Sequence, residues 1–321
     1  MQHQNRVDVE TGEGGCLIVR WDMAGGDHVD LAVGPTPDPR DHVPSARVPT
    51  SAGSVRLAVP SPGRHYVSVS SGGVSVVSAT RRVPFTGATN FRDLGGYPTA
   101  SGGRTRWGKV FRSDLLHALT PEDLVAFDGL GVSTIYDLRR DEEREDAPGP
   151  RAAVHLTIPS HRVGDTDPGT VHDRRAGEEW LLEDYRSILA VAGPVFGRLF
   201  SGLAEADGPA VFHCWGGKDR TGMTAALLLT WLGVDRDRVF DDYELTSSYT
   251  TPDSLAKVVD LFVESGIPRP GALGMLGTPR WVMAEVLTVL DGEYGGIETY
   301  LLGSAGMTPH AAAALRARLV A

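Results

Sequence analysis

Pro209-Ala210-Val211-Phe212-His213 runs directly into Cys214-Trp215-Gly216-Gly217-Lys218-Asp219-Arg220-Thr221-Gly222. The first five residues form a short apolar run, suited to a strand buried on both faces. Beyond Gly222 the chain is apolar nearly all round (Met223, Ala225, Ala226, Leu227, Leu228, Leu229, Trp231, Leu232), which predicts a central helix over 220–233. The polar residues between strand and helix therefore share one tight loop. Successive amides freed by Gly216 and Gly217 can converge on an anion, and the helix N-terminus adds its own orphan N–H groups and dipole. The spacing of Cys214 and Arg220 lets both reach one centre. The Arg220 guanidinium can grip two phosphoryl oxygens at once. The same positive field favours the thiolate of Cys214, which can attack phosphorus. The Thr221 hydroxyl can then donate to the departing sulfur, and Gly222 leaves room beneath the loop. His213 reads as a structural residue that orients the loop, and Trp215 as a pocket wall.

Working outward, apolar stretches of strand length alternate with helical periods from about residue 85. Lys109 to Arg112, Val132 to Leu138 and Val154 to Ile158 read as strands. Thr120-Pro121-Glu122-Asp123 opens a helix, with Thr as N-cap, Pro at the first position and acids in the first turn. The acidic run Asp141-Glu142-Glu143-Arg144-Glu145-Asp146 reads as a solvated helix start, and residues 160–176 as a loop. Glu178 to Ala204 reads as two helices broken at Gly193-Pro194. Further helices are predicted over 235–249, 252–265, 279–291 and 308–320. Strands separated by helices imply an α/β domain over 85–321, with a mainly parallel sheet flanked by helices.

Residues 1–84 differ. Leu17, Val19 and Trp21 alternate, as do Val29, Leu31 and Val33, and Val55, Leu57 and Val59. Val67 and Val69, then Val74 and Val76, continue the pattern. Turn formers punctuate the runs at Gly25-Gly26, Pro35 to Pro39, Ser61-Pro62-Gly63 and Ser71-Gly72-Gly73. This reads as a small all-β sandwich with Trp21 in its core.

The chain has 321 residues and a formal net charge of −10, which argues against general nucleic-acid or anionic-membrane binding. It lacks an apolar run long enough for a membrane span, and Met1 to Arg6 show no secretory leader. Two cysteines, Cys16 and Cys214, cannot form a disulfide scaffold or a cysteine zinc cluster, so a reduced cytoplasmic chain is expected. Lysine occurs only at Lys109, Lys218 and Lys257 against an arginine background, which draws attention to Lys218.

The string His-Cys-x-x-Gly-Lys-Asp-Arg-Thr-Gly resembles the signature of the cysteine-dependent protein tyrosine phosphatase superfamily, in its bacterial tyrosine and phosphoinositide phosphatase branch. Asn90 to Tyr97 with Phe111-Arg112-Ser113 is similar to the entry region of that branch. Thr134 to Arg139 is similar to its Asp-Leu-Arg strand end, and Tyr185-Arg186 also fits. The resemblance spans about 88–320. Residues 17–21 and 65–69 loosely resemble strands of fibronectin type III or immunoglobulin-like domains. The family resemblance implies metal-independent hydrolysis of phosphomonoesters through a phosphocysteine, with no cofactor. Its substrates would be phosphotyrosine proteins and, as a second class, phosphoinositides. Cys214, Arg220 and Thr221 would be catalytic. Trp215, Gly216, Gly217, Lys218 and Arg139 would bind substrate, with His213 and Gly222 as support. The general acid stays open between Asp219, inside the loop, and Asp137, at a strand's carboxyl end; Asp219 could instead pair with Lys218 or cap the helix, and Asp137 could instead hold Arg220. Lys218 either deepens the pocket for a second phosphate or points to solvent. The alternatives are a phosphatase of another small metabolite, or a non-catalytic phosphate-binding adaptor. No partner for the sandwich can be read.

Overall fold

The structure, a computed structural model, describes residues 5–59, 64–161, 164 and 166–321. The chain divides into two compact units: Met1–Val83 with Arg92–Gly96 and Arg106–Gly108, and the remainder from Pro84 to Ala321.

In the first unit, β1 (Arg6–Thr11), β2 (Leu17–Asp22), β3 (His28–Gly34), β4 (Val43–Pro49), β5 (Ser54–Leu57), β6 (Tyr66–Ser71) and β7 (Val74–Ala79) build two antiparallel sheets. Their orders are β1-β2-β5 and β4-β3-β6-β7. The period-2 residues supply the core: Val7, Val9, Leu17, Val19 and Trp21 from one sheet, Val29, Leu31, Val33, Val67, Val69 and Val76 from the other. Trp21 is buried, and its indole N–H donates to the Thr50 carbonyl at 3.0 Å, which satisfies the one polar group on the ring. Two strands go beyond the sequence pattern. β1 precedes the expected first strand, and β4 carries Pro44 and Pro49, which a sheet edge tolerates because proline cannot donate to a ladder. Val74 is exposed, so only Val76 of that pair faces the core. The turn expected at Ser61-Pro62-Gly63 lies outside the described residues. A two-residue strand, β8 (Arg92–Asp93), bridges back to Arg82 in the same unit.

In the second unit, β9 (Val110–Ser113), β10 (Thr134–Asp137), β11 (Val154–His155) and β12 (Ala210–His213) run parallel in the order β11-β10-β12-β9. β12 is central and buried at every position, as its apolar run requires. The register sets Asp137 and Ser113 beside His213 at the carboxyl ends of these strands. β11 is shorter than the expected 154–158; beyond it, Leu156 and Ile158 still donate to the carbonyls of Asp137 and Leu138.

The helices between and after the strands are α1 (Pro121–Gly129), α2 (Asp141–Asp146), α3 (Arg174–Val191), α4 (Gly193–Glu205), α5 (Arg220–Trp231), α6 (Arg236–Tyr249), α7 (Pro252–Glu264), α8 (Arg269–Leu276), α9 (Arg280–Tyr294), α10 (Gly296–Leu302) and α11 (Pro309–Leu319). Thr120 caps α1 in a reciprocal box with Asp123, a device worth about 1 kcal/mol. The loop expected over 160–176 is corrected: α3 begins at Arg174, where the Asp173 carboxylate accepts from the Ala176 N–H. Residues 162, 163 and 165 of that stretch lie outside the described residues. α8 and α10 were not expected. α8 packs tightly on α3 through glycine, since a Cβ on Gly177 would lie 2.1 Å from the Gly271 carbonyl oxygen. All of α5 from Arg220 to Leu229 is buried, so it is the fixed axis of the unit. Among the described residues, no single helix is long and apolar enough to cross a membrane.

Candidate active site

Cys214 follows β12 directly and is 2% exposed. The loop from Cys214 to Asp219 is shaped by donors that take its carbonyls outward. The His213 ring Nδ1 lies 3.2 Å from the Cys214 carbonyl, and the Leu115 N–H donates to that of Trp215 at 2.9 Å. The Asn90 amide donates to the carbonyls of Gly216 and Gly217 at 3.1 and 3.2 Å, and Arg112 donates to Gly217 at 2.7 Å. A trans peptide points its N–H opposite to its C=O. The N–H groups of residues 215–218 are thereby turned away from these partners. Amides freed in this way at the mouth of a helix N-terminus can form a nest for an anion.

The anchors are themselves fixed. Asp114 accepts from the N–H of both Thr89 and Asn90, which holds the Asn90 segment against the loop. Arg112 pairs with Asp242 at 2.6 Å, and the Tyr97 hydroxyl donates to the other Asp242 oxygen at 3.0 Å. Gly217 adopts φ +65°, and a Cβ there would lie 2.6 Å from Asp114 N and the Ser113 carbonyl oxygen, so glycine is required. Beneath the loop, a Cβ on Gly222 would already lie 3.3 Å from the Tyr243 ring.

Arg220, the first residue of α5, donates from both terminal nitrogens to the Glu143 carboxylate, at 2.6 and 2.8 Å. Burial works against the charged guanidinium, but the hydrogen bonds to Glu143 and the neighbouring Cys214 outweigh it, and the Arg220 pKa is raised. Burial likewise pushes Glu143 up while Arg220 pulls it down further, so both stay ionised. This corrects the reading of Asp141 to Asp146 as a plain solvated face: Glu143 points inward and holds Arg220. The part offered to Asp137, holding Arg220, thus falls to Glu143.

Asp137 and Arg139 form a closed pair. Arg139 donates to both Asp137 oxygens and, through its third nitrogen, to the carbonyls of Glu143 and Ala147. These bonds engage all three guanidinium nitrogens in a buried side chain, and Arg139 ties the strand end to α2. Burial raises the Asp137 pKa, but Arg139 more than offsets this and holds it below the ordinary carboxylate range. His213 lies 3.7 Å from Asp137, and burial lowers its pKa to about 4 despite that neighbour, so it is neutral near pH 7.

Lys218 neither reaches solvent nor stands free beside Arg220. Its ammonium donates to the carbonyls of Met275 and Gly277 at the end of α8 and lies 3.1 Å from Asp219. It therefore ties the loop to α8. Asp219 keeps about a third of its side chain exposed, at 34%, and accepts from the Tyr185 hydroxyl at 2.9 Å. Next to Tyr185 on α3, Asp184 is pushed up to about 6 by burial and by the charge of Asp219. Thr221 Oγ1 is buried without a hydrogen-bond partner among the described residues. Trp215 is 48% exposed.

A cysteine set in an amide nest at a helix N-terminus, with a clamped arginine beside it, defines a cysteine-dependent phosphatase. The sequence comparison agrees: the model of the tyrosine phosphatase family matches residues 83–321. The chain belongs to that family and is a protein-tyrosine-phosphatase-like hydrolase. It is 26% identical over 264 residues to the triple specificity protein phosphatase PtpB of Mycobacterium tuberculosis, covering 70% of this chain and 93% of that one. It is 29% identical over 216 residues to a tyrosine-protein phosphatase of Nostoc commune, covering 64% of this chain and 71% of that one. The solved structure of TpbA from P. aeruginosa aligns with 57% of this chain and 90% of its own at 20% identity, with a TM-score of 0.26, too low to argue from.

Proposed function

We propose that the chain hydrolyses phosphotyrosine through a phosphocysteine at Cys214. The observation that carries this reading is the loop in which four successive carbonyls are bound outward around Cys214 while Glu143 holds Arg220 beside it. In the first step the thiolate attacks phosphorus, the P–O ester bond breaks, and an acid gives the leaving oxygen its proton. In the second, water attacks phosphorus, the P–S bond breaks, and the same carboxylate takes the water's proton. Inorganic phosphate leaves and the thiolate is restored. The unpartnered Thr221 hydroxyl is the donor we assign to the departing sulfur.

We assign the acid to Asp219. It is partly exposed and hydrogen-bonded on one side by Tyr185, whereas Asp137 is buried and fully engaged by Arg139. Phosphoinositides remain a second substrate class, with less support, because Lys218 is committed to the end of α8. The relative of printed triple specificity favours a broad substrate range. We further read 1–84 as a fibronectin III-like or immunoglobulin-like domain and 85–321 as the catalytic domain; the three-plus-four strand sandwich supports this.

An acid matters most when the leaving group is poor. Asp219→Asn is expected to lose roughly 10²-fold or more on an alkyl phosphate and far less on p-nitrophenyl phosphate. Asp137→Asn is expected to lose equally on both, since it loosens α2 and not proton donation. Steady-state rates on the two esters decide it; the reverse pattern would move the acid to Asp137. A phosphotyrosine peptide and an inositol phosphate in the same series rank the substrate classes.

A further inference from the structure

A cavity of about 400 Å³ opens in the second unit, where β10, the end of α2 and the segment leading into β11 meet. That volume holds a small organic molecule. Asp137, Arg139 and His213 line it on one side, so it adjoins the strand ends, but its lining includes no residue from Cys214 to Thr221. The walls are mainly apolar, from Ile135, Pro148, Pro150 and Ala153. Two arginines, Arg144 and Arg151, complete it.

The charge balance of this lining is unusual for a chain of net charge −10. The lining holds one carboxylate, Asp137, and Arg139 already neutralises it. Arg151 pairs with Asp128 at 3.1 Å, but both are substantially exposed, and such a pair is worth at most about 1 kcal/mol. Arg144 is largely buried and is held by the Arg139 carbonyl and the Thr157 hydroxyl; its remaining partner is Asp141, whose side chain is 83% exposed. A ligand anion can displace either weak partner without baring a buried charge. An apolar body alone would leave these guanidinium groups no better satisfied, and a cation would be repelled.

We propose that this cavity is a second binding site, separate from the phosphate loop, for a small organic anion: an aromatic or aliphatic body against Ile135, Pro148 and Pro150, with its carboxylate or sulfonate on Arg144 and Arg151. This goes beyond the hydrolytic reading, because the site needs neither Cys214 nor turnover.

The probe is 8-anilinonaphthalene-1-sulfonate, an apolar aromatic sulfonate, titrated by fluorescence into the full chain with excess inorganic phosphate filling the catalytic loop. Saturable binding that phosphate does not displace is expected. Arg151→Glu, which reverses a rim charge, and Ala153→Trp, which fills the cavity, should each weaken it by roughly tenfold or more. Both should leave p-nitrophenyl phosphate turnover and Tm unchanged, because neither residue belongs to the catalytic machinery. Competition by phosphate would overturn the proposal, since the probe would then occupy the catalytic loop. Wild-type affinity in either folded variant would overturn it as well. Turnover in the same samples reports on the phosphatase reading separately.

Discussion

Cys214→Ser is expected to abolish phosphatase turnover while leaving the fold and phosphate binding in place. The argument is one of proton and position. A serine hydroxyl holds its proton far above neutral pH and is a much weaker nucleophile than a cysteine sulfur. His213, next to Cys214 in the chain, is held neutral, but its Nδ1 faces the Cys214 carbonyl and its Nε2 faces Asp137, not the residue-214 side chain. Losing a nucleophile of this kind costs roughly four orders of magnitude or more. The loop is shaped by bonds that do not involve sulfur: the carbonyls of Trp215, Gly216 and Gly217 are bound by Leu115, Asn90 and Arg112. Inorganic phosphate binding, read by calorimetry, should therefore survive in the variant, and Tm should hold. Retention of more than a few per cent of wild-type turnover on p-nitrophenyl phosphate would remove Cys214 from the mechanism.

How much of this was legible in the sequence depends on whether a residue's role is local. The strand–loop–helix unit was legible because its signals are contiguous: an apolar run, glycines and a helix apolar all round. The period-2 valines likewise revealed the sandwich's core faces, because a buried face repeats at fixed spacing. What failed to show were roles set by partners far along the chain. Glu143 sits in a run of eight charged residues, Arg139 to Asp146, and nothing local separates it from its solvated neighbours; only the turn of α2 against Arg220 does. Asn90 lay inside a quoted motif, yet its work on Gly216 and Gly217 spans more than 120 positions. Lys218 misled for the same reason. Its rarity marked it as special, but the reason is the carbonyls of Met275 and Gly277, on a helix the periodicity did not reveal. Asp137 was read as a site residue from its place at a strand end, and Arg139 from the family resemblance. They are two residues apart, close enough to satisfy each other, and they do.

That long-range clamp gives the second large effect. Arg220→Lys conserves the charge and should still cost roughly 10²–10³-fold in kcat/KM, the scale seen when one oriented donor to a developing oxyanion is lost. The guanidinium uses two N–H groups, one from each terminal nitrogen, on the Glu143 carboxylate. Its remaining planar edge, Nε with a terminal nitrogen, is then fixed in direction and can meet two phosphoryl oxygens. An ammonium has no second edge: a lysine that reaches Glu143 is drawn off the phosphate, and one that reaches the phosphate leaves a buried carboxylate unpaired. Glu143→Gln separates the two halves of this argument. It keeps the side chain's shape and one acceptor while removing the charge that fixes the guanidinium. It should lower kcat more than it raises KM, because a free Arg220 still attracts the dianion but no longer meets the transition state in one orientation. Pairing the two changes is the decisive measurement. If Glu143 acts only through Arg220, the double variant should be hardly worse than Arg220→Lys alone, since coupled groups are not additive. Fully multiplied losses would mean that Glu143 acts on the substrate or the loop by a route of its own.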